Sequence, residues 1–80
     1  HSMADLMPGQ MYCASMRFLI YTTLEPDGRD LSILLSSKTP FMFLEYVYNQ
    51  ASTRYLRLVT PAGIRYAAPG ATVKFNPWGS

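Results

Sequence analysis

The sequence has few of the residues on which most catalytic and metal sites depend. It contains one histidine and one cysteine in 80 residues. A nucleophilic site needs a nucleophile beside a base, and a zinc site needs several thiolate or imidazole ligands. His1 and Ser2 precede a start at Met3 and are interpreted as a cloning remnant, which leaves no native histidine. We therefore expect no catalytic residues, no metal site and no cofactor.

Charge is also scarce. Asp, Glu, Lys and Arg make up 15% of the sequence, and the formal net charge is +2. This balance does not predict a membrane-surface partner or a strongly basic nucleic-acid-binding surface. No apolar run reaches the roughly 18 residues of a membrane span, and the N-terminus lacks a signal-peptide pattern. Cys13 has no second cysteine to pair with, which is typical of a cytoplasmic protein.

The acidic residues do not predict a site either. Three of the five cluster at 25–30 around a Pro-Asp-Gly turn sequence. We interpret this cluster as a solvated turn, because a calcium loop needs more oxygen ligands at defined spacing. Glu45 is interpreted as the structural partner of Arg57. The protein is therefore expected not to be an enzyme.

Apolar residues are abundant, at 49% of the sequence. A chain of this length is enough for one domain, which we expect to cover residues 1–80. A domain of this size buries only about 60% of the surface that its unfolded chain exposes. The apolar residues exceed what one small core can hold, which favours a second apolar surface. We expect that surface to bind another copy of the chain or a protein partner.

Turns containing proline and glycine divide the sequence into short segments. They occur at 8–9, 26–28, 61–63 and 69–70. The segments between them are rich in β-branched and aromatic residues, which strands favour. Such spacing is typical of an all-β meander, sandwich or barrel. We expect strands over 11–24 with a bend near residue 15, and over 31–35, 41–48, 54–59, 64–68 and 71–76.

The segment 41–59 predicts a hairpin closed by a polar five-residue turn at 49–53. Pairing Tyr48 with Arg54 places Glu45 opposite Arg57, as cross-strand charge pairing favours. One face of the hairpin then holds a core of Met42, Leu44, Tyr46, Leu56 and Leu58. The other face is predicted to be an exposed aromatic surface for a protein partner or a second copy, formed by Phe41, Phe43, Tyr55, Arg57 and Val59.

Two alternatives accompany this interpretation. Thr39 and Pro40 match a helix start, so the structural alternative is an α+β fold with a helix near 40–50. The functional alternative is a barrel that binds single-stranded nucleic acid, because basic and aromatic residues interleave as they do on base-stacking surfaces. Its candidate residues are Arg54, Arg57, Arg65, Tyr66 and Lys74.

The order of turns and strands resembles that of the SH3-like barrel group. The resemblance is carried by Pro8-Gly9-Gln10-Met11-Tyr12, by Pro40-Phe41-Met42-Phe43-Leu44-Glu45 and by residues 55–63. It implies a small antiparallel barrel of five to six strands. It also implies a scaffold used for binding, and it carries no site residues over to this chain.

Overall fold

The computed structural model of the protein describes residues 6–25 and 32–79. This part of the chain is all-β and forms no helix, so it contains no helix that could cross a membrane. A five-stranded antiparallel sheet has the order β6-β5-β4-β1-β7, and β2 and β3 form a second, two-stranded sheet. The strands are β1 (Met11–Ala14), β2 (Phe18–Ile20), β3 (Ile33–Leu35), β4 (Phe41–Tyr48), β5 (Arg54–Thr60), β6 (Gly63–Ala67) and β7 (Phe75–Pro77).

The strand predicted over 41–48 is confirmed as β4, so the helical alternative near 40–50 is wrong. The polar turn at 49–53 is confirmed as well. The Asn49 Oδ1 accepts hydrogen bonds from the backbone N–H groups of Ala51 and Thr53, at 3.0 and 2.9 Å. The final strand is shorter than predicted, because residues 71–72 form a turn and β7 begins only at Phe75. The turn predicted at 26–28 lies outside the described residues.

The core lies between the inner face of the five-stranded sheet and the β2–β3 hairpin. Phe41 is at its centre, where its ring makes edge-to-face contacts with Phe18 and Phe75 at centroid distances of 5.8 and 5.5 Å. Ile20 from the hairpin and Leu58 from β5 are fully buried beside it. Burying each such side chain contributes about 1.5–3 kcal/mol, so this cluster is the main source of stability in the described part of the chain.

The β4–β5 pair follows the predicted register over half of its length. Tyr48 pairs with Arg54 and Glu45 pairs with Arg57, as expected. The register then shifts between Glu45 and Phe43, so that Phe43 pairs with Leu58 and not with Val59. The extra residue is Leu44, which a β-bulge leaves without a cross-strand partner. The predicted pairing beyond Glu45 is therefore wrong.

The bulge turns Phe41 and Phe43 into the core, where they are 0% and 1% exposed. The prediction that they form an exposed interface is wrong for this reason. A continuous register would bury Met42 and Leu44 in their place and leave both rings in water. Phenyl rings bury more area than these aliphatic side chains, and they gain aromatic contacts such as that of Phe43 with Tyr46, at 4.8 Å between centroids. These gains favour the bulged register over a regular ladder.

One bridge joins the hairpin to the larger sheet. Tyr21, which follows β2, exchanges two backbone hydrogen bonds with Tyr66 of β6, at 2.7 and 2.8 Å. The end of β2 therefore lies beside the edge of the five-stranded sheet. Glu25 adds a second tie, since its carboxylate accepts a hydrogen bond from the Gln50 N–H at 2.7 Å. Within the described residues neither sheet closes into a barrel.

The bulge can be tested by comparing two truncations in one strand. We expect Phe43→Ala to lower the free energy of unfolding by about 3–5 kcal/mol, because it empties a filled core site. Leu44→Ala is expected to cost clearly less, since Leu44 is only half-buried. Urea unfolding measures both, and Phe43→Leu replaces Phe43→Ala if that variant does not fold. A larger loss for Leu44→Ala would support the continuous register.

Candidate functional site

The outer face of the five-stranded sheet carries a row of apolar side chains that runs from β6 to the end of β7. Successive cross-strand pairs join Ile64 to Val59, Val59 to Met42 and Met42 to Met11. Trp78 continues the row, since its backbone N–H donates to the Met11 carbonyl at 3.0 Å. Ile64, Val59 and Trp78 are 44%, 38% and 54% exposed. The apolar row consists of five residues, Ile64, Val59, Met42, Met11 and Trp78.

Strand alternation places this row on the side away from the core. Met42 lies between the buried Phe41 and Phe43, and Val59 follows the buried Leu58. Successive residues of a strand point to opposite faces, and directly paired residues of neighbouring strands share a face. The apolar row therefore faces away from the cluster that stabilises the fold.

An ion pair lies beside the apolar row. The Arg57 Nη1 donates to the Glu45 Oε2 at 2.9 Å, which confirms the pairing predicted from the sequence. This hydrogen bond raises the pKa of Arg57 above its ordinary value, and the nearby phenol oxygen of Tyr66 adds to the effect. The guanidinium therefore stays charged throughout the pH range in which proteins are folded. Its Nε is buried and has no hydrogen-bond partner among the described residues.

The residues predicted for the protein interface are divided between two environments. Arg57 and Val59 lie on the outer face and are partly exposed. Tyr55 lies on the same side of β5 but is buried, with 9% of its surface exposed. Phe41 and Phe43 belong to the core. Two of the five therefore lie on a surface that another molecule can reach, and the apolar row extends that surface across the neighbouring strands.

The residues of the nucleic-acid hypothesis do not form one surface. Arg57 and Tyr66 lie on the outer face of the sheet, where the carboxylate of Glu45 offsets the positive charge of Arg57. Arg54 and Lys74 line a groove on the opposite side. Arg65 lies on the edge strand β6, and its guanidinium donates to a neighbouring backbone carbonyl at 2.8 Å. The structure thus divides four of these residues into two pairs on opposite sides of the sheet, and the edge residue Arg65 belongs to neither pair.

The groove lies at the end of the core near the β4–β5 turn and has a volume of about 820 Å³. The Arg54 Cζ lies over the Tyr46 ring, 4.3 Å from its centroid. The Tyr46 hydroxyl accepts a hydrogen bond from the Leu6 N–H at 2.9 Å, which fixes the chain that borders the groove. The lining consists of Leu6, Tyr46, Thr53, Arg54, Leu56, Val73, Lys74, Phe75 and residues 67–71.

A smaller apolar patch lies on the β2–β3 hairpin. Leu19 and Leu34 are a cross-strand pair, and Leu34 is 55% exposed. Ile33 is also exposed, but it pairs with Ile20 and therefore lies on the other face of this hairpin. This patch spans two strands, whereas the apolar row spans the five-stranded sheet. The row is therefore the more extended surface of the two.

Chemistry-bearing side chains are sparse in the described part of the chain. It contains no group of three or more His, Cys, Asp and Glu residues that could hold a metal ion. Cys13 is a free thiol, half-buried on β1. Comparison of the sequence and structure with protein-family models, curated proteins and solved structures finds no significant match. The functions of the apolar row and the groove are therefore inferred from their own residues.

The hydrogen bond at the groove can be tested with Tyr46→Phe. This change removes the acceptor for the partly buried Leu6 N–H and leaves the ring beneath Arg54 in place. We expect the free energy of unfolding to fall by about 1 kcal/mol, the usual net value of such a hydrogen bond. Chemical denaturation of wild type and variant measures the difference. An unchanged midpoint would mean that this hydrogen bond does not hold residue 6 in place.

Proposed function

We propose that this protein is a non-enzymatic interaction module that associates with a second copy of itself through the outer face of its five-stranded sheet. The observation that supports the proposal is the apolar row. Monomeric proteins rarely leave a contiguous apolar patch across a whole sheet in water, and such patches mark interaction sites. Face-to-face contact with another sheet, about 10 Å away, would remove the row from water.

The charges beside the row favour a second copy as the partner. A two-fold symmetric interface brings the same patch of both chains together, so the patch has to complement itself. Arg57 and Glu45 provide one positive and one negative group side by side. A two-fold axis between them would let each guanidinium approach the carboxylate of the other chain. The face as a whole then meets its copy without net repulsion.

We also infer that the two sheets are an open form of the SH3-like barrel expected from the sequence. The bridge between Tyr21 and Tyr66 supports this inference, because it places β2 next to β6. The strands then follow one another in the series β3-β2-β6-β5-β4-β1-β7. A cytoplasmic location is part of the same proposal, since the free Cys13 suits a reducing compartment.

The experiment is a measurement of self-association for wild type and two matched variants. Val59→Glu places a charge in the middle of the apolar row and is expected to weaken association by at least about tenfold, because it buries an unpaired carboxylate. Leu34→Glu makes the same kind of change at the exposed hairpin patch and is expected to leave association unchanged. Sedimentation velocity gives the assembly state, and circular dichroism checks that each variant is folded.

Two results would contradict the proposal. One is a wild-type chain that stays monomeric up to about 1 mM, which would limit the free energy of association to less than about 4 kcal/mol. The other is equal weakening by both variants, which would locate the contact elsewhere or make it non-specific. In the first case the outer face would have to serve a different protein partner, and self-association would be abandoned.

A further inference from the structure

The groove beside Tyr46 carries two cationic side chains whose charge is not neutralised in the described part of the chain. The described residues form one ion pair, between Arg57 and Glu45. Arg54 and Lys74 therefore have no carboxylate partner among those residues. The described lining of the groove contains no Asp or Glu. Its charge is therefore complementary to an anion.

Both cations keep hydrogen-bond donors available. The Arg54 Cζ lies over the Tyr46 ring, and a guanidinium has five N–H donors, more than a contact with one ring face can occupy. The Lys74 Nζ donates to the Ala71 carbonyl at 3.0 Å, and an ammonium group has three donors. Each side chain is thus held in position by one contact while it can still bind a carboxylate.

The floor of the groove is apolar. Leu56 is buried in the core, and Val73 and Phe75 pack against that core from the segment before and within β7. The volume of about 820 Å³ is within the range of roughly 300–1,000 Å³ that ligand sites span. A ligand that fits therefore combines an apolar group with at least one flanking anion.

The aromatic rings of the groove favour a peptide over a nucleic acid. Bases bind to single-strand surfaces mainly by stacking on open aromatic faces. The Tyr46 ring is already contacted by Phe43 and by Arg54, and the Phe75 ring by two phenylalanines of the core. Aliphatic side chains need no open ring and can pack on Leu56 and Val73.

We propose that this groove binds an acidic peptide segment of a partner protein, in which one apolar side chain is flanked by carboxylates. The apolar side chain packs on Leu56 and Val73, and the carboxylates bind Arg54 and Lys74. The site lies on the opposite side of the sheet from the apolar row, because Arg54 and Leu56 alternate with Tyr55 and Arg57 along β5. The proposal is thus independent of self-association through the outer face.

The test is an NMR titration of the ¹⁵N-labelled full chain with a pentapeptide that has a central leucine flanked by two glutamates on each side. We expect saturable shifts of the amides of Leu56, Val73 and Lys74. Arg54→Gln and Lys74→Gln are each expected to weaken binding by about tenfold, as the loss of a charge-assisted hydrogen bond predicts. The matched control is Arg17→Gln, which removes the same charge from an exposed residue outside the groove and is expected to change affinity by less than about twofold.

Two further ligands separate the explanations. A peptide with glutamines in place of the glutamates is expected not to bind, and binding at equal affinity would overturn the role of the two cations. An oligodeoxythymidine that shifts the groove amides more strongly than the acidic peptide would assign the groove to nucleic acid instead. The absence of shifts at several millimolar acidic peptide would overturn the proposal outright. Failure of self-association leaves all of these readouts unaffected.

Discussion

The burial of Phe41 and Phe43 is the constraint on which the rest of the structure depends. Both rings point into the core, whereas Glu45 points outward. Residues 43 and 45 would share a face in a regular strand, so β4 cannot alternate regularly between them. The bulge at Leu44 resolves this conflict. It also aligns Met42 with Val59 and so makes the apolar row continuous across β4 and β5. The exposed surface that we assign to self-association is thus a consequence of how the core is packed.

The amount of this fold that could be predicted from the sequence depended on how local its cause was. The turn at 49–53 and the pairing of Glu45 with Arg57 follow from neighbouring residues, so sequence patterns identified both. The bulge has no such signal, because no glycine or proline marks it and residues 41–44 are apolar on both faces. Alternation alone could not decide which of the two faces is buried.

The groove was missed for a different reason. Its walls come from residue 6, from both strands of the β4–β5 hairpin and from residues 67–75, which only the tertiary structure brings together. Arg54 and Lys74 were identified as basic candidates. Their sequence positions gave no sign that they line one site together and that Arg57 lies on another surface. The side of a strand on which a charge lies depends on register, and β5 presents Arg54 and Arg57 to opposite sides of the sheet.

The bulge also determines how β4 responds to a change in its length. Phe43 and Glu45 already pair with the consecutive residues Leu58 and Arg57. A chain that lacked residue 44 would therefore keep the same partners in an uninterrupted ladder, with the phenyl ring still inward and the carboxylate still outward. Loss of one residue from the middle of a strand usually exchanges its two faces. In this strand the deletion would preserve both faces. Position 44 is therefore one at which related sequences can gain or lose a residue without changing which side chains are buried.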